Sequence, residues 1–413
     1  MPRRVVILGA GFVGLSVARE LERHRDIAVT VVDRHNYMLF TPMLPEVSSG
    51  AIEPRHIAQP LRVALHKTAF ELAEASGVDF QNRSITLENA LPGRPASITY
   101  DALVIALGAT TSTHGVPGAA AHSFALATID DAVALRAQTI RMFETGAPSA
   151  DVGERRRALT FVIVGGGFNG VEAAGEVRGY LRSIQRFYPG VQRDDVRVVL
   201  VAGGNRLLEQ LPAPFGKRAN EMLARRGIEI VMDDDVAAVD AGGLTLKSGA
   251  RYESRTIVWS AGVRPSPLVE KLDVRQSEHH AVVVNADLSV PNRSHVWAAG
   301  DCAQIPKPGG GHYAQTAQDA IREAPLLARN IRAALHGRRT RAFRYRSPGM
   351  MASLGDRQGL ADIGPGAMLS GFPAWLLWRA YYLWRLPGFA RKTRVALDWT
   401  LALFFRGEIA SIG

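Results

Sequence analysis

Twice in this chain a glycine triplet of the form GxGxxG stands between a short apolar run and a segment of helical periodicity, and this repetition constrains the fold more than any other feature. The first triplet is Gly9-Ala10-Gly11-Phe12-Val13-Gly14. It follows Val5-Val6-Ile7-Leu8, the pattern of a buried parallel strand, and precedes Leu15–Arg23, where Leu15, Ala18 and Leu21 recur at helical spacing. A second strand, Val29–Val32, ends in Asp33. Each part has a physical task. Gly9 makes the tight turn, Gly11 lets the backbone approach a pyrophosphate, and Gly14 lets helix and strand pack closely. Asp33 is placed to accept hydrogen bonds from an adenosine ribose. The helix N-terminus offers free N–H groups and the positive end of its dipole.

The second triplet, Gly165-Gly166-Gly167-Phe168-Asn169-Gly170, follows the apolar run Leu159–Val164 and opens a helix expected over Val171–Leu181. Its second strand, Val196–Val201, ends in Ala202-Gly203-Gly204, with no carboxylate for the ribose. Arg206 lies close by and could meet a 2′-phosphate, or backbone groups alone could hold the ribose. Two such units predict an α/β protein with two Rossmann-like dinucleotide-binding domains. The 413 residues leave room for two or three domains.

Composition narrows the chemistry. There is one cysteine, Cys302, so an intrachain disulfide, a CxxC redox pair and a cysteine zinc site are excluded, and Cys302 is expected to be a small buried filler. The net charge of +10 fits a solvated basic surface or an anionic partner. No run of about twenty apolar residues exists, so no transmembrane helix is expected.

Beyond the fingerprints the sequence resembles the two-dinucleotide-binding flavoprotein superfamily, and within it the type II NADH:quinone dehydrogenases. Asn36–Pro45 is similar to that family's flavin-contact segment, and Tyr100–Gly108 to the strand and glycine that close its FAD domain. Val296–Ala303 resembles its second FAD motif, in which an aspartate, here Asp301 after Gly300, holds the ribityl chain; by itself such an aspartate also reads as a helix N-cap. Thr316–Ala320 is similar to its helix near flavin and quinone, and Met351–Gly355 with Trp375–Leu383 to its C-terminal region. The resemblance implies FAD on the first fingerprint, with Gly108, Gly300 and Asp301, and NAD(P)H on the second, with Gly262 bordering the nicotinamide. It places Glu172 near nicotinamide and flavin; alone, that residue also reads as a first-turn acid favoured by the helix dipole. Gln315 and Gln318, three apart, could share a helix face and donate to a quinone carbonyl.

The implied layout is an FAD domain split over 1–118 and 285–340, a nicotinamide domain over 119–284, and a C-terminal membrane-interface region over 341–413. Thr145–Arg157, polar with Gly, Pro and Ser, is expected to be a loop. Met368–Phe405 gathers Trp375, Trp378, Trp384 and Trp399 among Arg379, Arg385, Arg391, Lys392 and Arg394, with Arg406 just beyond, and Pro387-Gly388 divides it into two helices. Aromatic and cationic helices of this kind lie in a membrane interface, or pack on the protein's own body or in a homodimer. With the resemblance, the expectation is a peripheral, monotopic protein on the cytoplasmic side of the cell membrane, held on an anionic lipid surface. It would pass a hydride from NAD(P)H to FAD and two electrons to a quinone without pumping ions. Nucleic acid is disfavoured as a partner, because the arginines sit among bulky apolar residues. The alternatives are a soluble reductase of the same superfamily that serves ferredoxin or another protein, and a weakly active regulatory flavoprotein.

Overall fold

The computed structural model describes residues 1–88, 91–364, 367–405 and 409–410. They divide into two compact units, each discontinuous in sequence. The first comprises Met1–Leu39, Ala58–Thr110 and Val263–Ser347. Its centre is a five-stranded parallel sheet in the order Val296–Ala298, Ala102–Ile105, Arg3–Leu8, Ile27–Asp33, Ala69–Leu72. The central strands are apolar on both faces, and Val5, Ile7, Leu103, Val104 and Ile105 are all fully buried. That is the demand of a parallel sheet covered on both sides. The edge strand Val296–Ala298 arrives some 190 residues after its neighbour (from about 105 to 296), so this sheet is completed late in the chain. The Phe12–Leu21 helix packs against the Ala317–Leu335 helix.

The second unit comprises Phe40–Ile57, Thr111–Gly262 and Pro348–Gly413. Its parallel sheet runs Ile228–Val231, Arg197–Val201, Thr160–Val164, Thr256–Trp259. The strand Thr160–Val164 feeds the Phe168–Ile184 helix. The C-terminal part forms a three-stranded antiparallel sheet, Met351–Ser353, Gly359–Asp362 and Met368–Gly371, followed by helices Phe372–Arg385 and Phe389–Phe404. The break between those helices falls at Leu386–Gly388, where the sequence placed it. Arg406 lies outside the described residues.

The structure draws its boundaries differently from the sequence-based layout. Residues 341–413 do not stand apart, because from Pro348 onward they belong to the second unit. Gly175 accounts for part of this: a methyl group there would overlap the Leu354 carbonyl oxygen, so the helix backbone meets the C-terminal segment directly. Arg226 donates to the same carbonyl and pairs with Asp356 at 2.8 Å. Residues 40–57 join the second unit as well, since Leu44 and Val47 of the short Leu44–Ser48 helix are buried where it packs on the Ile129–Gly146 and Phe168–Ile184 helices. The crossings fall at 110–111, 262–263 and 347–348 rather than at 118, 284 and 340. The expected loop Thr145–Arg157 ends inside a helix, Val152–Leu159. Asp151 caps it, accepting from the Gly153 and Glu154 amides at 2.8 and 3.1 Å, which outweighs the polar composition.

Candidate functional site

In the first unit, Gly9 has φ +94°, and a methyl group on it would overlap the Ala106 carbonyl oxygen. A methyl on Gly14 would overlap the Gly9 carbonyl oxygen, so helix and loop touch backbone to backbone. Gly11 is different, for nothing lies within 4 Å of its missing side chain. It is the N-cap of the Phe12–Leu21 helix and has no side-chain cap, which leaves the first amides of that helix open to an anion. Asp33 Oδ2 accepts from the Ala10 amide at 2.7 Å and Oδ1 from His35 at 2.8 Å. Burial still holds its pKa above the ordinary carboxylate range. Gly108, at φ +65°, faces open space.

Gly300 and Asp301 open a short turn after the Val296–Ala298 strand. The Gly300 amide donates to Glu323 Oε2 at 2.7 Å. Asp301's own carboxylate accepts no hydrogen bond among the described residues, and burial, then Asp319, raise its pKa. A carboxylate in that state suits a polyol donor, so Asp33, Gly11 and Asp301 fit the adenosine ribose, pyrophosphate and ribityl chain of FAD. Cys302 is fully buried, with Sγ 3.4 Å from the Ile105 and Ala299 carbonyls, and burial lifts its pKa to about 12, so it is an inert filler.

Gln318 lies in the first turn of the Ala317–Leu335 helix and donates to Tyr345 Oη at 2.8 Å. Gln315 precedes the N-cap, Thr316, and its amide donates to the Asp301 carbonyl at 2.9 Å. The two therefore share no helix face: the Thr316 hydroxyl, accepting from the Asp319 amide, starts the helix one residue beyond Gln315.

In the second unit the same construction recurs. Gly165 has φ +127°, and a methyl on it would lie 2.7 Å from the Ser260 carbonyl. A methyl on Gly170 would overlap the Gly165 carbonyl oxygen. Gly167 caps its helix without a side-chain bond and meets only Gln210 Nε2, at 3.8 Å. The backbone registers also match. Gly9 N–H donates to Val32 at 2.8 Å, and Gly165 N–H donates to Val201 at 2.7 Å. Asp33 and Ala202, the next residue in each case, are thus structural equivalents. Gly262, at φ +98°, leaves room for the His114 imidazole, which any side chain there would strike.

Glu172 is 6% exposed. Its Oε1 accepts from the Ser353 amide at 2.8 Å and from Trp378 Nε1 at 3.0 Å. Burial pushes its pKa up to about 8, with Glu176 and Glu46 adding to the shift. Glu176, one turn further along the helix, accepts from Ser353 Oγ and Ser49 Oγ at 3.3 and 3.4 Å and is raised to about 7, by burial first and then by Glu46. Glu46, 2% exposed, accepts from Arg379 at 3.1 Å and Trp399 Nε1 at 3.1 Å. The Arg379 guanidinium lies between two indole rings, 4.1 Å from Trp375 and 4.5 Å from Trp399.

For three of the tryptophans this is packing on the protein's own body, one of the arrangements the sequence allows. Trp375, Trp378 and Trp399 are buried, because the indole N–H groups of the last two satisfy buried carboxylates and the rings of the first and last enclose Arg379. The face left outside carries Phe372, Leu376, Trp384, Phe389, Leu397, Leu401, Phe404 and Phe405. Among the described residues no helix is long and apolar enough to cross a membrane. The sequence reading missed Glu46, Glu176 and Glu323, three acids at most partly open to water. Glu172–Glu176 and Asp319–Glu323 are both spaced i, i+4 along helices that also bury apolar residues, a signal available in the sequence.

The sequence profile of the pyridine nucleotide-disulphide oxidoreductases matches residues 3–324. The chain is 34% identical to the type II NADH:quinone oxidoreductase Ndh of Mycobacterium tuberculosis, with 98% of this chain and 89% of that one covered. It is 30% identical to a probable NADH dehydrogenase of Dictyostelium discoideum, with 99% and 91% covered. Among solved structures, NDH2 from Plasmodium falciparum in complex with NADH superimposes with a TM-score of 0.92 over 99% of this chain and 100% of that one. At 19% identity that likeness concerns the fold. The chain belongs to the pyridine nucleotide-disulphide oxidoreductase family and, within it, to the type II NADH:quinone oxidoreductases.

Proposed function

We propose that this protein oxidises NAD(P)H and reduces a membrane quinone by two electrons through FAD, at the lipid surface and without pumping ions. The observation that carries the reading is the pair of equivalent glycine cradles, one ending in Asp33 and backed by Asp301, the other ending in Ala202. FAD held there would supply the two-electron relay between nicotinamide and acceptor, chemistry that belongs to the cofactors. The chain's residues bind, orient and keep water out. Gly9, Gly11, Gly14, Asp33, Gly108, Gly300 and Asp301 hold FAD. Gly165, Gly167, Gly170 and Gly262 hold the nicotinamide dinucleotide. Gln318 and Gln315 border the quinone.

Quinone reduction to quinol consumes two protons, and Glu172 is suited to hold one. Its carboxyl is buried, fixed by Ser353 and Trp378, and stays protonated up to about pH 8. The exposed apolar residues of the two C-terminal helices support docking to lipid, since aromatic side chains with exposed Arg394 and half-buried Arg391 and Lys392 near them in sequence favour an anionic interface. The cytoplasmic side remains the proposed location. Steady-state turnover tests the function. NADH oxidation that depends on added quinone, with one quinol formed per NADH, supports it. Oxidation driven only by a one-electron protein carrier such as a ferredoxin overturns it.

A further inference from the structure

The strand end at Ala202 lacks the acid that Asp33 supplies at the equivalent position of the first fingerprint, yet the structure brings a carboxylate to the turn that follows it, beside Gly204. The loop after the strand folds back over the fingerprint. Leu208, held at φ +52°, donates its amide to the Gly166 carbonyl at 2.8 Å. This pins Glu209 beside Gly204, where its Oε1 occupies the space a side chain on Gly204 would need. Glu209 is exposed, and its carboxylate makes no hydrogen bond or ion pair among the described residues. Asp235 stands in the same relation to Gly203, but it is already paired with Lys247 at 2.9 Å. Arg206, the cation that a 2′-phosphate would need, donates to the Glu209 backbone carbonyl at 2.9 Å. Gly203 and Gly204, with no side chains, let the carboxylates of Asp235 and Glu209 lie directly against the backbone of the turn.

We infer that Glu209 is the ribose-binding carboxylate of the second dinucleotide site and that it selects NADH over NADPH. The inference rests on the assignment of the second fingerprint to a nicotinamide dinucleotide. An ionised carboxylate accepts from the two ribose hydroxyls of NADH and repels the dianionic 2′-phosphate of NADPH. Sequence order hides the substitution, because the acid comes seven residues after the position where the fingerprint places it, and only the fold of the loop restores it.

Isothermal titration of the FAD-loaded protein with ADP-ribose and with 2′-phospho-ADP-ribose tests this without turnover. The native protein should bind ADP-ribose about tenfold or more the tighter, the scale of a hydrogen bond to a charged group. Glu209→Gln should weaken ADP-ribose binding about tenfold and narrow the gap between the two ligands, while Glu209→Asp should retain part of the preference. Asp235→Asn should leave both affinities within about twofold. Bound flavin in each variant reports that the fold is intact. A native preference for the 2′-phosphate overturns the inference, as do unchanged affinities in Glu209→Gln or a larger effect from Asp235→Asn. If the native protein binds neither ligand, the assignment of the second fingerprint falls, and the inference with it; if it binds ADP-ribose and Glu209→Gln is silent, the inference alone falls.

Discussion

Replacing Arg379 with methionine isolates the electrostatics of the buried acids. Arg379 pairs with Glu46 at 3.1 Å, and the two side chains are 14% and 2% exposed. Methionine keeps much of the arginine stem's volume between Trp375 and Trp399 but removes the charge. Glu46 then has two routes: remain ionised and unpaired in the interior, which costs about 3–5 kcal/mol, or take up a proton. The second route sets an upper limit that depends on pH. Protonating a carboxyl with an unfolded-state pKa of about 4.3 costs about 4 kcal/mol at pH 7.5 and about 1.6 kcal/mol at pH 5.5. The sign follows from proton counts. In the variant the folded state binds a proton that the unfolded state releases above its pKa, so stability falls as pH rises through this window. Burial already raises Glu46 in the native protein, and loss of Arg379 raises it further. The variant should therefore be destabilised by about 3–4 kcal/mol at pH 7.5 and by about half that or less at pH 5.5. Urea unfolding followed by tryptophan fluorescence measures it, because Trp375 and Trp399 enclose the pair. The double variant Arg379→Met with Glu46→Gln should recover most of the loss, since removing both members of a buried pair leaves no stranded charge. Equal destabilisation at the two pH values, or no recovery in the double variant, would refute the reasoning.

Three further outcomes are expected. Gly11→Ala should fold and lose most of its flavin, because its methyl points into open space at the helix N-terminus, whereas Gly14→Ala should fail to fold, because its methyl would overlap the Gly9 carbonyl; flavin absorbance and circular dichroism separate the two. Quinone reduction by the native protein should decline as pH rises through about 8, where Glu172 loses its proton, and Glu172→Gln should be slower but flat across that window in a pH–rate profile. Replacing exposed Trp384, Phe389 and Phe404 by serine should weaken binding to anionic vesicles in a flotation assay by tenfold or more, each aromatic contributing on the order of 1 kcal/mol or more of apolar burial, while reduction of a water-soluble quinone analogue is unchanged.

The fingerprints were legible in the sequence because their code is local. Strand, glycine turn and helix follow one another within a few residues, and Gly14 and Gly170 answer a steric demand from the turn just before them. The break at Pro387-Gly388 was legible for the same reason. What escaped the sequence is carried by distant partners. Nothing near Glu46 in sequence announces Arg379 and Trp399 as its partners. The aromatic and cationic tail suits a lipid surface or packing on the protein's own body, and three tryptophans turn inward: Trp378 and Trp399 donate to buried carboxylates, and Trp375 stacks on Arg379. Gln315 falls outside its expected helix by one residue, decided by which hydroxyl caps it. Glu209 is the sharpest instance, for its identity was plain in the sequence while its place beside Gly204 exists only through the loop pinned at Gly166.

The most direct test of the central claim is a single anaerobic turnover. The FAD-loaded protein, mixed with one equivalent of NADH, should bleach its flavin absorbance, and one equivalent of a menaquinone or ubiquinone analogue added next should restore it in full with one quinol formed. Flavin that bleaches with NADH but does not reoxidise with quinone, or that is not bleached at all, would contradict the account.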